Sequence, residues 1–356
     1  MVERNGRKAA GKPRSVFGKL FPVRFLVLGV LAGLLISIFS GVYLIYADLM
    51  SRVNYVSDDP DEFYQIANLM DYDLFIDGED PLNPDKEDPD DHDDPDTEPA
   101  VRPELQQSGT IEMARMPGVE NILLFGVDSR TNDYRGRSDV TMIISINHNT
   151  RTINIISLMR AMYVRIGARN NPWGALNAAY SYGGPGLAIR AVEYNFGIPI
   201  TGFVAINFNS FIRIVDALGG VSINLTGREA ELMNLSSGTN RLNGKQALYY
   251  ARIRKIDSDF QRNQRQRNVI NSILNELSAQ GGGAIYKAAT VILANTYTNL
   301  DLNSYINKAP SLLTYQRRQL QLPASGETRY YYVNGQEVWW FDMVKTHKRL
   351  VSFIQN

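Results

Sequence analysis

The chain has 356 residues, no cysteine and three histidines that lie far apart in the sequence. The lack of cysteine excludes disulfides, thiolate metal sites and cysteine nucleophiles, and the histidine spacing argues against a zinc site. The formal net charge is zero, but residues 58–98 hold 18 Asp and Glu with one Lys, whereas residues 99–356 hold 28 Lys and Arg against 17 Asp and Glu. A basic domain beside an acidic segment predicts an anionic partner for that domain.

The first predicted element is a membrane helix at residues 25–47, a run of 23 residues without a charge. At about 1.5 Å per residue it spans the hydrocarbon core of roughly 30 Å. Residues 1–24 carry seven Lys and Arg and one Glu, so the positive-inside rule places this basic tail in the cytoplasm. A cleaved signal peptide is disfavoured because the run is too long and no A-x-A site follows. We expect a single-pass protein of the cell membrane whose C-terminal domain is extracytoplasmic.

An acidic linker is predicted next, over residues 48–117. Residues 61–76 have a mixed composition that could form a helix. Residues 77–98 are rich in Pro and Asp and have almost no apolar side chains, so they predict a disordered spacer. The Asp density also suggests a weak Ca²⁺ site, but the spacing of an EF-hand is absent and a solvated linker is the better interpretation.

The remaining residues, 118–356, predict one globular domain. Strands are predicted at 121–126, 140–147, 152–158, 203–208 and 221–225. Helices are predicted at 184–197, 211–220, 242–254 and 259–280. The last segments, 305–315, 317–323, 329–335 and 338–354, predict a helix, two strands and a helix. This alternation predicts an α/β fold, a layered α-β-α domain with a central mixed sheet, preceded by one transmembrane helix.

The first charged cluster, residues 126–142, begins directly after the first predicted strand. Asp128 follows this strand and Asp139 precedes the next one, and ligands bind at this edge of open α/β sheets. Two carboxylates there suit Mg²⁺, which takes a few carboxylates together with substrate phosphates, and Arg130 and Arg137 would oppose phosphate oxygens. A solvated loop with surface ion pairs explains this stretch equally well by itself.

The second charged cluster, residues 251–267, spans the end of one predicted amphipathic helix and the start of the next. Arg262 and Arg265 share a helical face, and Arg254 precedes the helix start. Asp257 or Asp259 is a candidate N-cap acid. A helix N-terminus surrounded by guanidinium groups predicts an anion site. The alternative is a basic, solvated helix face, and a nucleic-acid partner is disfavoured because the domain lies outside the cell and no recognition motif is present.

Several motifs occur in order along the domain. They are NILLFGVDSR (121–130), RSDVTMIISIN (137–147), SLMRAMYV (157–164), LNAAYSYGGPGLAIRAVEYNFGIPI (176–200), IVDALGGVSIN (214–224), LNGKQALYYARIR (242–254) and DSDFQRNQRQ (257–266). With these motifs the chain resembles the LytR-CpsA-Psr (LCP) family of bacterial cell-wall glycopolymer transferases. The resemblance covers about residues 120–275 and is weaker toward the C-terminus.

The resemblance implies a phosphotransferase that moves a glycopolymer, such as a teichoic acid or a capsule, from a polyprenyl-pyrophosphate carrier onto peptidoglycan. It implies catalytic positions at Arg160, Asp128 and Asp139, with Mg²⁺ held between the two Asp. It also implies an apolar tunnel for the lipid tail. The residues that match the family's pyrophosphate-binding positions are Arg130, Arg137, Arg252, Arg254, Arg262, Arg265 and Gln266.

One departure from the family pattern concerns function. The family usually has Pro-Arg-Asp where this chain has Met159-Arg160-Ala161, so a carboxylate is missing. The alternative function is therefore a catalytically weak or inactive homologue that binds the lipid-linked glycan as a scaffold or regulator. A third, weaker interpretation is a secreted pyrophosphatase that uses the same site.

Overall fold

The computed structural model describes residues 54–55, 111–129, 134, 136–168, 173–279, 291–292, 294–333 and 336–356. The predicted basic tail, membrane helix and Pro- and Asp-rich spacer lie outside the described residues. No helix within the described ranges combines the length and the apolar composition that a membrane crossing requires.

The described strands are β1 (Asn54–Tyr55), β2 (Val119–Val127), β3 (Ser138–Asn147), β4 (Thr152–Leu158), β5 (Tyr163–Arg165), β6 (Trp173–Ala175), β7 (Gly202–Asn207), β8 (Val221–Leu225), β9 (Gly238–Leu242), β10 (Tyr297–Thr298), β11 (Gln316–Leu322), β12 (Thr328–Val333) and β13 (Gln336–Phe341). The described helices are α1 (Leu176–Phe196), α2 (Phe208–Ala217), α3 (Gly227–Met233), α4 (Gly244–Arg252), α5 (Asp259–Ala279), α6 (Leu302–Leu312) and α7 (Met343–Gln355).

A seven-stranded mixed sheet is the centre of the domain, in the order β1-β10-β7-β2-β3-β4-β11. The three central strands β2, β3 and β4 are antiparallel, whereas β7 runs parallel to β2 and β11 runs parallel to β4. The predicted mixed sheet is thus confirmed. Asn54–Tyr55, within the stretch that the sequence assigns to the linker, pairs with β10 at one edge.

Helices cover both faces of this sheet because successive residues of its buried strands point to opposite sides. Leu123 of β2 belongs to the large core that also contains Leu187 of α1 and Leu350 of α7. Its neighbour Leu124 packs on the other side, in the cluster that contains Ile270 of α5. The result is the layered α-β-α arrangement.

Two segments differ from the sequence-based expectation. The helix expected at 184–197 extends back to Leu176 and is broken at Gly183 and Gly184, which have non-helical backbone angles just before Pro185. The prediction of a helix at 338–354 is wrong for its first residues. Gln336–Phe341 pairs with β12 as a strand, and the helix starts at Met343. Pairing with a partner strand overrides the local preference there.

Candidate active site

The β2–β3 pair carries a β-bulge at Asp139. Gly126 pairs with Val140 and Val127 pairs with Ser138, so the register skips Asp139. A bulge changes the direction of side chains, and here both Asp139 and Val140 line the same cleft although they are consecutive. A Cβ on Gly126 would lie 2.8 Å from the Cβ of Val140, so glycine is what allows the two strands to close at this point.

The cleft encloses about 800 Å³, part of it open to solvent, between the α5 side of the sheet and helices α2, α4 and α5. Its apolar lining includes Leu124, Val140, Met142, Ile206, Phe208, Phe211, Leu248, Val269 and Ile270. Its polar lining consists of Asp139, Asn207, Arg252, Arg254, Arg262 and Gln266. The cleft thus combines a long apolar wall with a group of cations.

Helix α4 delivers two of these cations at its C-terminal end. A capping box between Asn243 and Gln246 fixes the helix start. Gly244 lies so close to α2 that an added Cβ would be 2.4 Å from the carbonyl oxygen of Ile212. The helix then ends at Arg252, whose guanidinium carbon lies 4.5 Å from the centre of the Phe208 ring. Cations at a helix C-terminus are favoured by the helix dipole.

Ion pairs join the charged residues of the cleft. Asp139 lies 3.2 Å from Arg160 and 3.7 Å from Arg254, measured between nitrogen and carboxylate oxygen. Asp259 lies 3.0 Å from Arg262 and 3.8 Å from Arg160. Within the described part of the chain, these pairs connect three arginines to two carboxylates. Asp139 and Asp259 thus link the three arginines into one charged network beside the cleft.

Arg262 is the most deeply buried cation of this group, with a side chain only 5% exposed. Burial lowers its pKa, and the charges of Arg160 and Arg254 lower it further against the opposing effect of Asp259 and Asp139, to about 10. Its Nη1 is buried and has no hydrogen-bond partner among the described residues. A buried guanidinium N–H without an acceptor is costly, and a phosphate oxygen is a suitable acceptor for it.

Arg265, predicted to share the binding face of Arg262, has other partners. Its guanidinium donates to both oxygens of Asp257 at 2.6 and 2.8 Å, to Glu229 at 3.2 Å and to the carbonyl of Ile253 at 2.7 Å. Burial opposes the charge, but Asp257 and Glu229 together raise the pKa of Arg265. Arg265 is not among the residues that line the cleft. Its contacts tie α5 to the loop before it and to α3.

The other predicted residues of the first cluster are placed as follows. Asp128 is exposed just after β2, and its backbone N–H donates to the carbonyl of Arg137 at 3.0 Å. Arg137 is exposed as well, and neither side chain lines the cleft. Arg130 lies outside the described residues. Gln266 does line the cleft.

Sequence reasoning treated Asp259 only as a candidate N-cap, yet its carboxylate contacts both Arg160 and Arg262. The available signal was its position three residues before Arg262 on the same helix, which places the two side chains next to each other.

The backbone of the Arg160 segment is held from several sides. The N–H of Asn177 donates to the Arg160 carbonyl at 3.0 Å, and the N–H of Trp339 donates to the Ala161 carbonyl at 2.7 Å. The N–H of Met159 donates to the carbonyl of Leu322 at 3.1 Å. Arg160 therefore extends from a fixed backbone, although the family's carboxylate is replaced by Ala161.

The fold and the site define a class of protein, an α/β domain in which a mixed sheet and arginine-bearing helices enclose an apolar cleft. The chain belongs to the LytR_cpsA_psr family, whose sequence profile matches residues 87–349. The polyisoprenyl-teichoic acid–peptidoglycan teichoic acid transferase TagU of Oceanobacillus iheyensis is 36% identical over 240 residues, which cover 61% of this chain and 72% of that protein.

Two further relatives extend the comparison. The Biofilm regulatory protein A of Streptococcus mutans is 33% identical over 234 residues, 58% of this chain and 57% of that protein. A solved structure of TagT bound to LI-WTA superposes with a TM-score of 0.58 at 25% identity, covering 70% of this chain and 97% of that one.

Proposed function

We propose that this chain is a membrane-anchored phosphotransferase that moves a glycopolymer from a polyprenyl-pyrophosphate carrier onto peptidoglycan during cell-wall assembly. The observation that carries the proposal is the combination, in one cleft, of an apolar wall with the buried Nη1 of Arg262, which has no hydrogen-bond partner among the described residues. The apolar wall suits an isoprenoid chain, and the Arg262 guanidinium suits a pyrophosphate. The relative named a teichoic acid transferase supports the same chemistry.

The transfer would break the bond between the bridging oxygen and the phosphorus that carries the glycan. It would form a bond from that phosphorus to the acceptor hydroxyl oxygen, and the departing polyprenyl phosphate would carry away the bonding electron pair and take up the hydroxyl proton. Such reactions depend on positioning and on neutralising negative charge. With a pKa of about 10, Arg262 remains charged at neutral pH. The Asp259 carboxylate contacts the guanidinium groups of both Arg262 and Arg160 and would orient them. Arg252 and Arg254 add positive charge where the leaving phosphate would lie.

Mg²⁺ belongs to the proposal as its cofactor. Among the described residues, no group of three or more His, Cys, Asp and Glu could hold a metal ion. Asp139 lines the cleft and Asp128 lies at the neighbouring strand end outside it. Two such carboxylates would suit Mg²⁺ because that ion keeps waters and takes substrate phosphates as further ligands. When bound, the ion would supply Lewis-acid neutralisation of the phosphates.

The anchor completes the proposed arrangement. Residues 25–47 form the uncharged run that would cross the membrane, with the basic residues 1–24 inside. The cleft would then be kept near the outer leaflet, where a lipid-linked pyrophosphate presents its head group.

A second candidate function follows from Ala161. Without the family's carboxylate the chain could bind the lipid-linked glycan as a scaffold or regulator and transfer it slowly or not at all. A relative named a regulatory protein gives this candidate some support. It predicts tight binding of polyprenyl phosphate without turnover.

The test uses the full-length protein in nanodiscs with an undecaprenyl-pyrophosphate-linked glycan, purified peptidoglycan and Mg²⁺. Glycan transferred to peptidoglycan is measured by mass spectrometry. We expect transfer by the wild type and by Arg228→Met, an exposed arginine on α3. We expect a loss of at least about 100-fold in both Asp139→Ala and Arg160→Ala. Arg160→Ala removes a cation at the phosphates, and Asp139→Ala removes a proposed Mg²⁺ ligand. Wild-type rates in both cleft variants would refute the proposal, and hydrolysis without transfer would favour a pyrophosphatase.

A further inference from the structure

The hairpin of β12 and β13 presents aromatic rings on one face. Tyr330 and Tyr332 are 48% and 57% exposed and lie two residues apart on β12, which places them on the same face about 6.7 Å apart. Trp339, opposite Tyr330 on β13, meets its ring edge-on with centroids 5.7 Å apart. These three residues are called the aromatic strip below.

The aromatic strip is attached to the segment that carries Arg160. The N–H of Trp339 donates to the carbonyl of Ala161 at 2.7 Å, and Trp339 forms an isolated bridge with Met162. The ring of Trp339 packs against the core on the α1 and α7 side of the sheet, whereas the cleft lies on the α5 side. The aromatic strip therefore meets the Arg160 segment through the backbone of Ala161 and Met162, and the cleft lies on the other face of the sheet.

The chemistry of the aromatic strip favours a ligand that is apolar on its faces and polar on its edges. Tyrosine and tryptophan offer flat apolar faces with a hydrogen-bonding group at the rim, and they lose little conformational entropy when they bind. Sugar rings have this character, with C–H groups on the face and hydroxyls around it. An anionic membrane surface would call for a cluster of lysines and arginines. Among the described residues of the hairpin, the exposed charges are Arg329 and Glu337, which have opposite signs.

We infer that the aromatic strip binds sugar rings of the acceptor glycan and holds that glycan beside the segment that carries Arg160. The inference rests on the proposed function, since a transferase needs a site for a second substrate. It adds to the proposed function a place on the fold where the peptidoglycan sugars bind.

The experiment measures two bindings separately with the full-length protein in nanodiscs. One probe is a soluble, uncross-linked peptidoglycan oligomer, and the other is undecaprenyl pyrophosphate. The test variant is the double substitution Tyr330→Ala/Tyr332→Ala, and Tyr330→Phe/Tyr332→Phe keeps the rings. The matched control is Tyr194→Ala. Tyr194 is also 57% exposed, but the guanidinium of Arg165 lies 4.6 Å from the centre of its ring.

We expect the double alanine variant to bind the oligomer at least about tenfold more weakly, because two stacking contacts are removed. The phenylalanine variant and the control should stay within about threefold of wild type, and all variants should bind undecaprenyl pyrophosphate equally. Equal oligomer binding by wild type and the alanine variant would overturn the inference, as would an effect confined to empty vesicles or to a protein partner. If the wild type does not bind undecaprenyl pyrophosphate, the proposed function is wrong. The inference about the aromatic strip is decided separately, by binding of the peptidoglycan oligomer.

Discussion

Two arginines on α5, one turn apart, are buried to a similar degree but have opposite surroundings. Arg265 contacts Asp257 and Glu229, and its pKa is raised. Arg262 contacts Asp259 and faces other cations, and its pKa is lowered. Within the described part of the chain, its Nη1 has no hydrogen-bond partner. The difference separates a cation that stabilises the fold from one suited to an anionic ligand. From their helical spacing alone, both arginines would be assigned to ligand binding.

The largest expected effect concerns the stability contribution of Arg265. In Arg265→Met, the buried Glu229 loses its counter-charge, and we expect the free energy of unfolding to fall by about 3 kcal/mol. Urea unfolding of the full-length protein in detergent, followed by tryptophan fluorescence, measures it. Arg228→Met on α3 is the control and should change stability by less than about 0.5 kcal/mol. A similarly small loss in Arg265→Met would mean that the bridge does not hold the loop.

The same substitution at Arg262 should separate function from stability. We expect Arg262→Met to lower glycan transfer at least about 100-fold, since it removes a buried donor to the pyrophosphate. Its free energy of unfolding should stay equal or rise slightly, because burial among cations already disfavours this charge. Transfer assays and urea unfolding on one preparation check both parts. If Arg262→Met lowers the free energy of unfolding as much as Arg265→Met does, the two arginines do not differ in their contribution to stability.

The contrast between these arginines shows how far the sequence could lead. The buried strands were predictable because their apolar runs are local signals, and Asp139 was predictable from its place between two of them. Glu229 as the partner of Arg265 was not, since the contact spans 36 positions along the chain. The strand β13 was missed for the same reason, because its pairing with β12 is invisible in VWWF alone. The bulge that directs Asp139 into the cleft also depends on register, which sequence patterns do not fix.

A smaller effect is expected from restoring the missing carboxylate. Arg160 already lies near Asp139 and Asp259, so the extra carboxylate in Ala161→Asp has little unpaired charge to orient. We expect the transfer rate to change by less than about tenfold, with Ala161→Asn as a control of similar shape. A wild type that binds polyprenyl phosphate without turnover, and that gains transfer only in Ala161→Asp, would instead establish the scaffold or regulator function.

The smallest effect extends the comparison to a carboxylate outside the cleft. Burial would raise the pKa of Glu120, but hydrogen bonds from Tyr305, Lys308 and His148 lower it to about 2. Like the guanidinium of Arg265, the carboxylate of Glu120 has several hydrogen-bond partners that stabilise its charged form. Because its folded pKa lies below the unfolded value of about 4.3, its contribution to stability is full above that pH and is lost as the pH falls toward 2.

We therefore expect Glu120→Gln to be less stable than wild type by about 1 kcal/mol at pH 7, a value reduced for the partial exposure of this carboxyl. The gap should narrow below about pH 4.5 and nearly close by pH 2. Urea unfolding at several pH values, with transfer at neutral pH as a control that should stay unchanged, measures it. If the difference in unfolding free energy between wild type and Glu120→Gln stays constant with pH, the destabilisation comes from packing. Only the comparison of Arg262 with Arg265 would then stand.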